Sequence, residues 1–442
     1  MSKKPKVVII AGGLATRMRP LTENIPKCMI DVNGIPLIEH QIVYFREHGY
    51  KEFIFCVAHL ADIVKKYFGD GSKFGVNIKY SQESKELLGS AGAVKLIKNK
   101  VNDAIIIYYG DNLTNLNFDK FLKFHKEKNS KFTIFLRECP ANYLGSSLIT
   151  MNDENRIKIF IEKPSPEEFE KHKDEVHYIN NVIYIMEPEV FKEIPKNAKY
   201  DFGSELIPQI LQKNQKIYGY VSDDFFVELG RVEKYDKFIT KFKGRAKVLE
   251  HIKAIFLDRD GVMNKNVKDM KTPEQFELLE GVSEAIKKIN DAGYLVIIIT
   301  NQPTISKGFL TFKDMSRIHD KMNKELNKHN AYIDAIYICP HHPEKGFIGE
   351  IPELKINCNC RKPKPGLLLD AIKDYNIDRQ HSWMIGDSMT DIVAGKNASI
   401  KTAFVSSGGG SGRKDEKDYE CIKLDLSGHN LLDVVKKIIK ID

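Results

Sequence analysis

Ala254-Ile255-Phe256-Leu257-Asp258-Arg259-Asp260-Gly261-Val262 reads as a buried strand ending in two acids two residues apart and a turn glycine. Such a strand usually opens a domain, yet more than half of the 442 residues lie before it. The preceding half has its own opening, Val7-Val8-Ile9-Ile10-Ala11-Gly12-Gly13, followed by Thr16, Arg17, Pro26 and Lys27. Two openings of this kind imply two α/β domains, each with a ligand site. The expected boundaries are 1–240 and 252–442, with a linker over 241–251.

Both halves alternate short β-rich runs with helical patterns, which predicts largely parallel sheets covered by helices. The first half suggests strands at 7–10, 53–57, 105–109, 132–136, 182–185 and 217–221, then a charged, helix-like segment over 234–250. The second half suggests strands at 254–257, 295–299, 335–338, 382–385 and 402–405 and a last helix over 431–441. Ser406–Gly412 is flexible by composition and reads as a surface loop.

A hydrophobic fraction of 42% with 29% charged residues is ordinary for a globular protein. No apolar run reaches the length of about 18 residues that a membrane span needs. The basic N-terminus runs straight into a strand, unlike a signal peptide, so the cytoplasm is the expected compartment. A net charge of +8 raises the question of nucleic acid. The lysines are spread without basic blocks, however, so small phosphorylated ligands suit the charge better, and neither nucleic acid nor membrane is expected as a partner. A homo-oligomer is compatible with this composition. Cys28, Cys56, Cys139 and Cys421 are isolated, whereas Cys339, Cys358 and Cys360 lie near His341 and His342. That grouping points to metal rather than disulfides.

In the first half, a Gly-Gly turn after a buried strand lets backbone N–H groups approach a phosphate, and Arg17 and Lys27 can neutralise its oxygens. Leu88-Gly89-Ser90-Ala91-Gly92-Ala93 is a second small-residue loop, suited to the approach of a flat base. Asp111 follows a strand, where ligands of open α/β sheets bind. Glu162-Lys163-Pro164 adds a cation and Glu228 a second carboxylate. Together with Asn180 and Tyr184, this ordered set resembles the sugar-1-phosphate nucleotidyltransferases over roughly residues 5–240. The resemblance implies a Rossmann-like unit with a mixed sheet of GT-A type, binding a nucleoside triphosphate through Gly12, Gly13, Thr16, Gln82, Gly89 and Asp111. Arg17 and Lys27 would hold the triphosphate and Lys163 the sugar phosphate, with Mg²⁺ on Asp111 and Glu228. Three positions depart from the pattern: Ala15 and Val182 stand where glycine is usual and are expected to tighten the pocket, and Glu228 stands for Asp. Asp223 or Asp224 is an alternative ligand, and Glu83 lies beside Gln82 before the base loop.

In the second half, Asp258 and Asp260 can divide the roles of nucleophile and proton carrier. Thr300-Asn301-Gln302, Arg361-Lys362-Pro363 and Gly386-Asp387 follow, with Asp391 one turn later. Their order resembles the haloacid dehalogenase superfamily of phosphatases, a Rossmannoid fold, over roughly 252–442. The resemblance implies an aspartyl phosphate on Asp258 and acid–base work by Asp260. It also implies phosphate binding by Thr300, Asn301, Arg361 and Lys362, and Mg²⁺ on Asp258, the Asp260 carbonyl and Asp387. Cys339, His341, Cys358 and Cys360 offer a closed tetrahedral Zn²⁺ set, with His342 an alternative to His341. This clip is similar to that of histidinol-phosphate and heptose-bisphosphate phosphatases.

Joined, the two resemblances imply nucleotide-activated heptose synthesis: a heptose 1,7-bisphosphate loses its 7-phosphate and the 1-phosphate is coupled to a nucleotide, typically from GTP. Another phosphorylated sugar or polyol with CTP or UTP stays open, as does a catalytically silent sugar-nucleotide-binding first domain.

Overall fold

Apolar runs long enough for one strand but too short for a helix set the framework of both halves. The computed structural model describes residues 4–83, 86–139, 147–172, 174–245, 247–407 and 422–441. Within these limits the chain divides into two units, Met1–Glu250 and His251–Asp442. Residues 408–412 of the glycine-rich stretch lie outside the described residues, as does Cys421.

The first unit holds nine strands in one mixed sheet: β1 (Lys6–Ala11), β2 (Glu52–Val57), β3 (Asn77–Gln82), β4 (Ile105–Tyr109), β5 (Phe132–Glu138), β6 (Ser147–Met151), β7 (Ile157–Glu162), β8 (Tyr178–Met186) and β9 (Ile217–Val221). The order is β3-β2-β1-β4-β8-β6-β7, with β5 paired to β8 and β9 to β5. The first four are mutually parallel, and β8 runs antiparallel to β4. Side chains of β1 alternate between two cores: Val8 packs in one cluster, Val7 and Ile9 in the other. Hence β1 reads as continuously apolar although its period is two.

The second unit is a six-stranded parallel sheet: β10 (Ala254–Leu257), β11 (Leu295–Asn301), β12 (Ala335–Cys339), β13 (Trp383–Gly386), β14 (Lys401–Val405) and β15 (Leu426–Gly428), ordered β12-β11-β10-β13-β14-β15. In both sheets the first strand sits where the winding direction reverses, with its successor on one side and a later strand on the other. Loops at the carboxyl ends of such strands splay apart and leave a crevice.

Four strands of these sheets escape the apolar pattern. Asn77-Ile78-Lys79-Tyr80-Ser81-Gln82 alternates polar and apolar on a sheet edge, and 147–151, 157–162 and 426–428 lie in the margins of their sheets. The helix expected over 234–250 covers only Val232–Lys241. Beyond it the chain turns, because the Asn33 amide takes the carbonyls of Phe242 and Arg245 at 2.6 and 3.0 Å.

Candidate active sites

At the carboxyl ends of β1 and β4 the first unit opens a cavity of about 420 Å³. Gly12, Gly13, Thr16, Arg17, Lys27, Gly89 and Asp111 all line it, so most of the nucleotide-binding set converges on one space. Gly89 sits at φ +71°, and a Cβ there would meet the Tyr200 carbonyl at 2.8 Å, so the small-residue loop is required by its backbone. Lys27 pairs with Asp111 on the cavity wall. Glu228 lies in a short antiparallel ribbon opposite Asn112, and the Leu229 amide donates to the Asp111 carbonyl at 2.9 Å. This register sets the two carboxylates on adjacent strands. Burial alone would raise the Glu228 carboxyl, but Lys234 at 2.9 Å, with the charges of Lys27 and Arg17, holds it below its usual range. The two carboxylates, Asp111 and Glu228, form an oxygen donor pair that fits a hard divalent cation.

Other residues sit elsewhere. Gln82 is exposed at the end of β3 with its carbonyl bonded to Lys65, and strand alternation turns the next residue, Glu83, into the cavity instead. Glu83 is buried, which raises its carboxyl, and accepts from the Leu88 amide at 2.6 Å. Lys163 is exposed, at φ 50° past the end of β7, and is not part of the cavity lining. Ala15 lines the cavity but Val182 does not. At both positions the physical reason for a glycine is the backbone: Ala15 has φ 52° and Val182 φ 50°, the left-handed region. Val182 sits in the irregular stretch of β8 between Asn180 and Tyr184, and its amide donates to Asn180 Oδ1 at 2.9 Å. Asp201, which carried no signal in the sequence, also lines the cavity and accepts from the amide and hydroxyl of Ser90 at 2.8 and 2.9 Å.

The crevice of the second unit is filled by charge. Lys362 bonds Asp258 Oδ1 at 2.9 Å, Asp391 Oδ1 at 2.6 Å and the Ile299 carbonyl at 2.8 Å, and is itself buried. Asp258, Asp387 and Asp391 offer oxygens within 4.8 Å of one another. Burial raises the Asp258 carboxyl, opposed by Lys362 and reinforced by Asp391. Burial, then Asp391, pushes Asp387 up to about 6. Asp387 Oδ2 is buried without a hydrogen-bond partner, and a Cβ at Gly261 (φ +85°) would lie 2.0 Å from it. Crowded acids, an orphaned oxygen and an all-oxygen donor set fit Mg²⁺. Asp391 joins this set although the sequence marked it only by its position one helical turn after Asp387.

The Asp260 carboxylate is bound by Arg259, by Asn264 at 2.9 Å and by Gln302 at 2.8 Å. Burial would raise it, but these donors, Arg259 foremost, hold it well below the usual range. Asn301 and Lys362 exchange two bonds of 3.1 Å between the Asn301 amide and the Lys362 backbone, which fixes the lysine loop. Thr300 is buried at the end of β11. Arg361 donates to the His341 carbonyl at 3.3 Å, tying it to the cysteine cluster.

In that cluster five of the six separations among the three Sγ atoms and His341 Nδ1 are 3.2–3.8 Å, and all four donors lie within 4.8 Å of one another. Tetrahedral Zn²⁺ with bonds of about 2.3 Å spaces its ligands by about 3.8 Å, so the donor set fits. His342 is outside it, its Nδ1 accepting from the Glu344 amide at 3.2 Å. The structure thus selects His341 between the two histidines.

The nucleotidyl transferase family profile matches residues 6–243, and the HAD-hydrolase-like profile residues 359–433. The chain belongs to the nucleotidyl transferase family. Its first unit is 35% identical over 242 residues to the UTP–glucose-1-phosphate uridylyltransferase of Synechocystis, covering 52% of this chain and 61% of that one. The chain therefore spans less than two thirds of that relative. The second unit is 37% identical over 185 residues to the D-glycero-beta-D-manno-heptose-1,7-bisphosphate 7-phosphatase of Haemophilus ducreyi, 41% of this chain and 96% of the relative. It is a haloacid dehalogenase-type phosphatase unit. HddC from Yersinia pseudotuberculosis superposes with a TM-score of 0.46 at 23% identity, covering 54% of this chain and all of that one. Among the described residues of the transferase and phosphatase units, no helix is long and apolar enough to cross a membrane.

Proposed function

We propose that the chain is a bifunctional enzyme of nucleotide-activated heptose synthesis. The phosphatase unit removes the 7-phosphate of D-glycero-D-manno-heptose 1,7-bisphosphate, and the transferase unit couples the remaining heptose 1-phosphate to GTP, giving GDP-heptose and pyrophosphate. The observation that carries this reading is the pairing itself. The relative of the second unit is named for a reaction whose product is a sugar 1-phosphate, the substrate class named for the first unit's relative.

In the transferase unit, Arg17 and Lys27 neutralise the triphosphate, and Lys163, just past β7, is the candidate partner of the sugar phosphate. Mg²⁺ on Asp111 and Glu228 would withdraw charge from the phosphates; rate comes from alignment and charge neutralisation. In the phosphatase unit, Asp258 attacks phosphorus while Lys362, Thr300, Asn301 and Arg361 hold the phosphate oxygens. Asp260 supplies the proton to the departing sugar oxygen and takes one from the water that hydrolyses the aspartyl phosphate. Mg²⁺ on Asp258, Asp387 and the Asp260 carbonyl, with Asp391 beside them, would neutralise the crowded acids. Zn²⁺ on Cys339, His341, Cys358 and Cys360 would be structural, pinning the loop that carries Arg361 and Lys362.

Incubation with heptose 1,7-bisphosphate of either anomer and each of the four triphosphates, followed by mass spectrometry, tests both halves: GDP-heptose and phosphate are expected. Products with other sugar phosphates alone would overturn the heptose assignment, and no pyrophosphate with any sugar would leave a silent first unit. UTP is the second reading, favoured by the uridylyltransferase relative; UDP-heptose in the same assay would establish it. Elemental analysis should find zinc in the purified protein, and its absence would overturn the clip.

A further inference from the structure

We propose that Gln302 is a positioning residue of the phosphatase unit, its side-chain amide fixing the hydroxyl of Thr300 and the carboxylate of Asp260 relative to one another. The inference rests on the phosphatase reading above. Gln302 Nε2 donates to Asp260 Oδ2 at 2.8 Å and to Thr300 Oγ1 at 2.9 Å, so its two hydrogens serve the two groups at once. Because Thr300 Oγ1 accepts from this amide, its own hydrogen is left to donate to a phosphate oxygen. The Gln302 side chain has no freedom to drift: the residue is 4% exposed, and its backbone N–H donates to the Cys339 carbonyl at 2.7 Å. Arg259 and Asn264 hold Asp260 from its other sides, so the carboxylate is kept in a single orientation.

In that step the oxygen of water forms a bond to phosphorus and the bond from Asp258 to phosphorus breaks. Asp260 takes the water's proton, and inorganic phosphate leaves with the Asp258 carboxylate restored. Removing the Gln302 amide frees Asp260 Oδ2 to turn further toward Arg259, away from the water. Hydrolysis then slows more than formation of the aspartyl phosphate, and the intermediate accumulates.

The test is Gln302→Leu, with Gln302→Met as a second variant that fits the same space more adaptably, each checked for thermal midpoint and zinc content. Rapid quenching with heptose 1,7-bisphosphate should show about one equivalent of heptose 1-phosphate formed ahead of free phosphate. Intact mass should show a phosphorylated chain, and steady-state phosphate release at saturation should fall roughly 10–100-fold, toward the range of a lost acid–base group, with KM falling alongside so that kcat/KM is little changed. A purely structural role would slow both half-reactions together. An equal fall without accumulated phosphoenzyme, or an unchanged rate, overturns the inference alone. Absence of phosphate release by the unaltered protein sinks the phosphatase reading and the inference with it.

Discussion

The transferase and phosphatase crevices occupy the same topological place, beside the first strand of the sheet where the winding of its parallel part reverses, and they are filled in opposite ways. In the transferase unit the place is a cavity of about 420 Å³ walled by glycines, backbone and charges such as Lys27 and Asp111, whose side chains keep 16% and 18% exposure. In the phosphatase unit it is packed with buried charge: Lys362, Asp387 and Asp391 are each 5% exposed or less. The difference is what the proposed reactions would require, because they place the nucleophile differently. A transferase whose ligands bring both nucleophile and electrophile needs room and fixed positive charge. A phosphatase that supplies its own nucleophile needs a carboxylate held in one orientation, and burial among countercharges achieves that.

Asp258→Asn should separate the two crevices most sharply. Phosphate release should fall by roughly 10⁴-fold or more, as for loss of a catalytic nucleophile, while pyrophosphate release in the transferase assay stays unchanged. Joint loss would break the picture of independent sites. Lys362→Met should come next, because it leaves buried acids without their cation. The expected cost is about 3–5 kcal/mol of phosphatase-unit stability, read as a lower thermal midpoint for that unit only. The counterpart in the open cavity, Lys27→Met, should cost less stability, because Lys27 and Asp111 keep 16% and 18% side-chain exposure. Its effect should be on transfer, lowering kcat by roughly 10²–10³-fold, as for loss of one preorganised donor. If Lys27→Met destabilised as much as Lys362→Met, the contrast between an open and a packed crevice would fail. The smallest effect is expected of Ala15→Gly. Relief of left-handed strain is worth about 1–2 kcal/mol, partly cancelled by the extra freedom glycine has when unfolded, about 0.4–1 kcal/mol. A rise of a few degrees at most in the transferase midpoint should result.

Strand starts and ends that carry chemistry were legible because they combine an uninterrupted apolar run with a polar residue at its end. Ala254–Leu257 with Asp258, Ile105–Tyr109 with Asp111 and Trp383–Gly386 with Asp387 are all of this kind. The cysteine–histidine cluster was legible because four side chains able to hold a metal within 22 positions are rare, but choosing His341 over His342 needed the coordinates. Edge strands such as Asn77–Gln82 were hidden because half their side chains face solvent and carry polar groups. Asp201 was hidden for another reason: it comes to Ser90 from 111 residues away, through a contact no local pattern encodes. Gln82 and Glu83 show the limit of motif reading. The pair was visible, but which of the two faces the ligand depends on strand phase.

With the proposed Zn²⁺ bound, the cysteine cluster would fasten the chain at Cys339 and His341 and again at Cys358 and Cys360, leaving residues 342–357 as a loop tied at both ends. A loop closed in this way can change length at small entropic cost, while Arg361 and Lys362, which follow the second tie, keep their place. The phosphatase unit therefore carries a stretch open to variation beside a centre that tolerates almost none. A lineage could remodel 342–357 to accept a different phosphorylated partner molecule without first relearning how to break the phosphate bond.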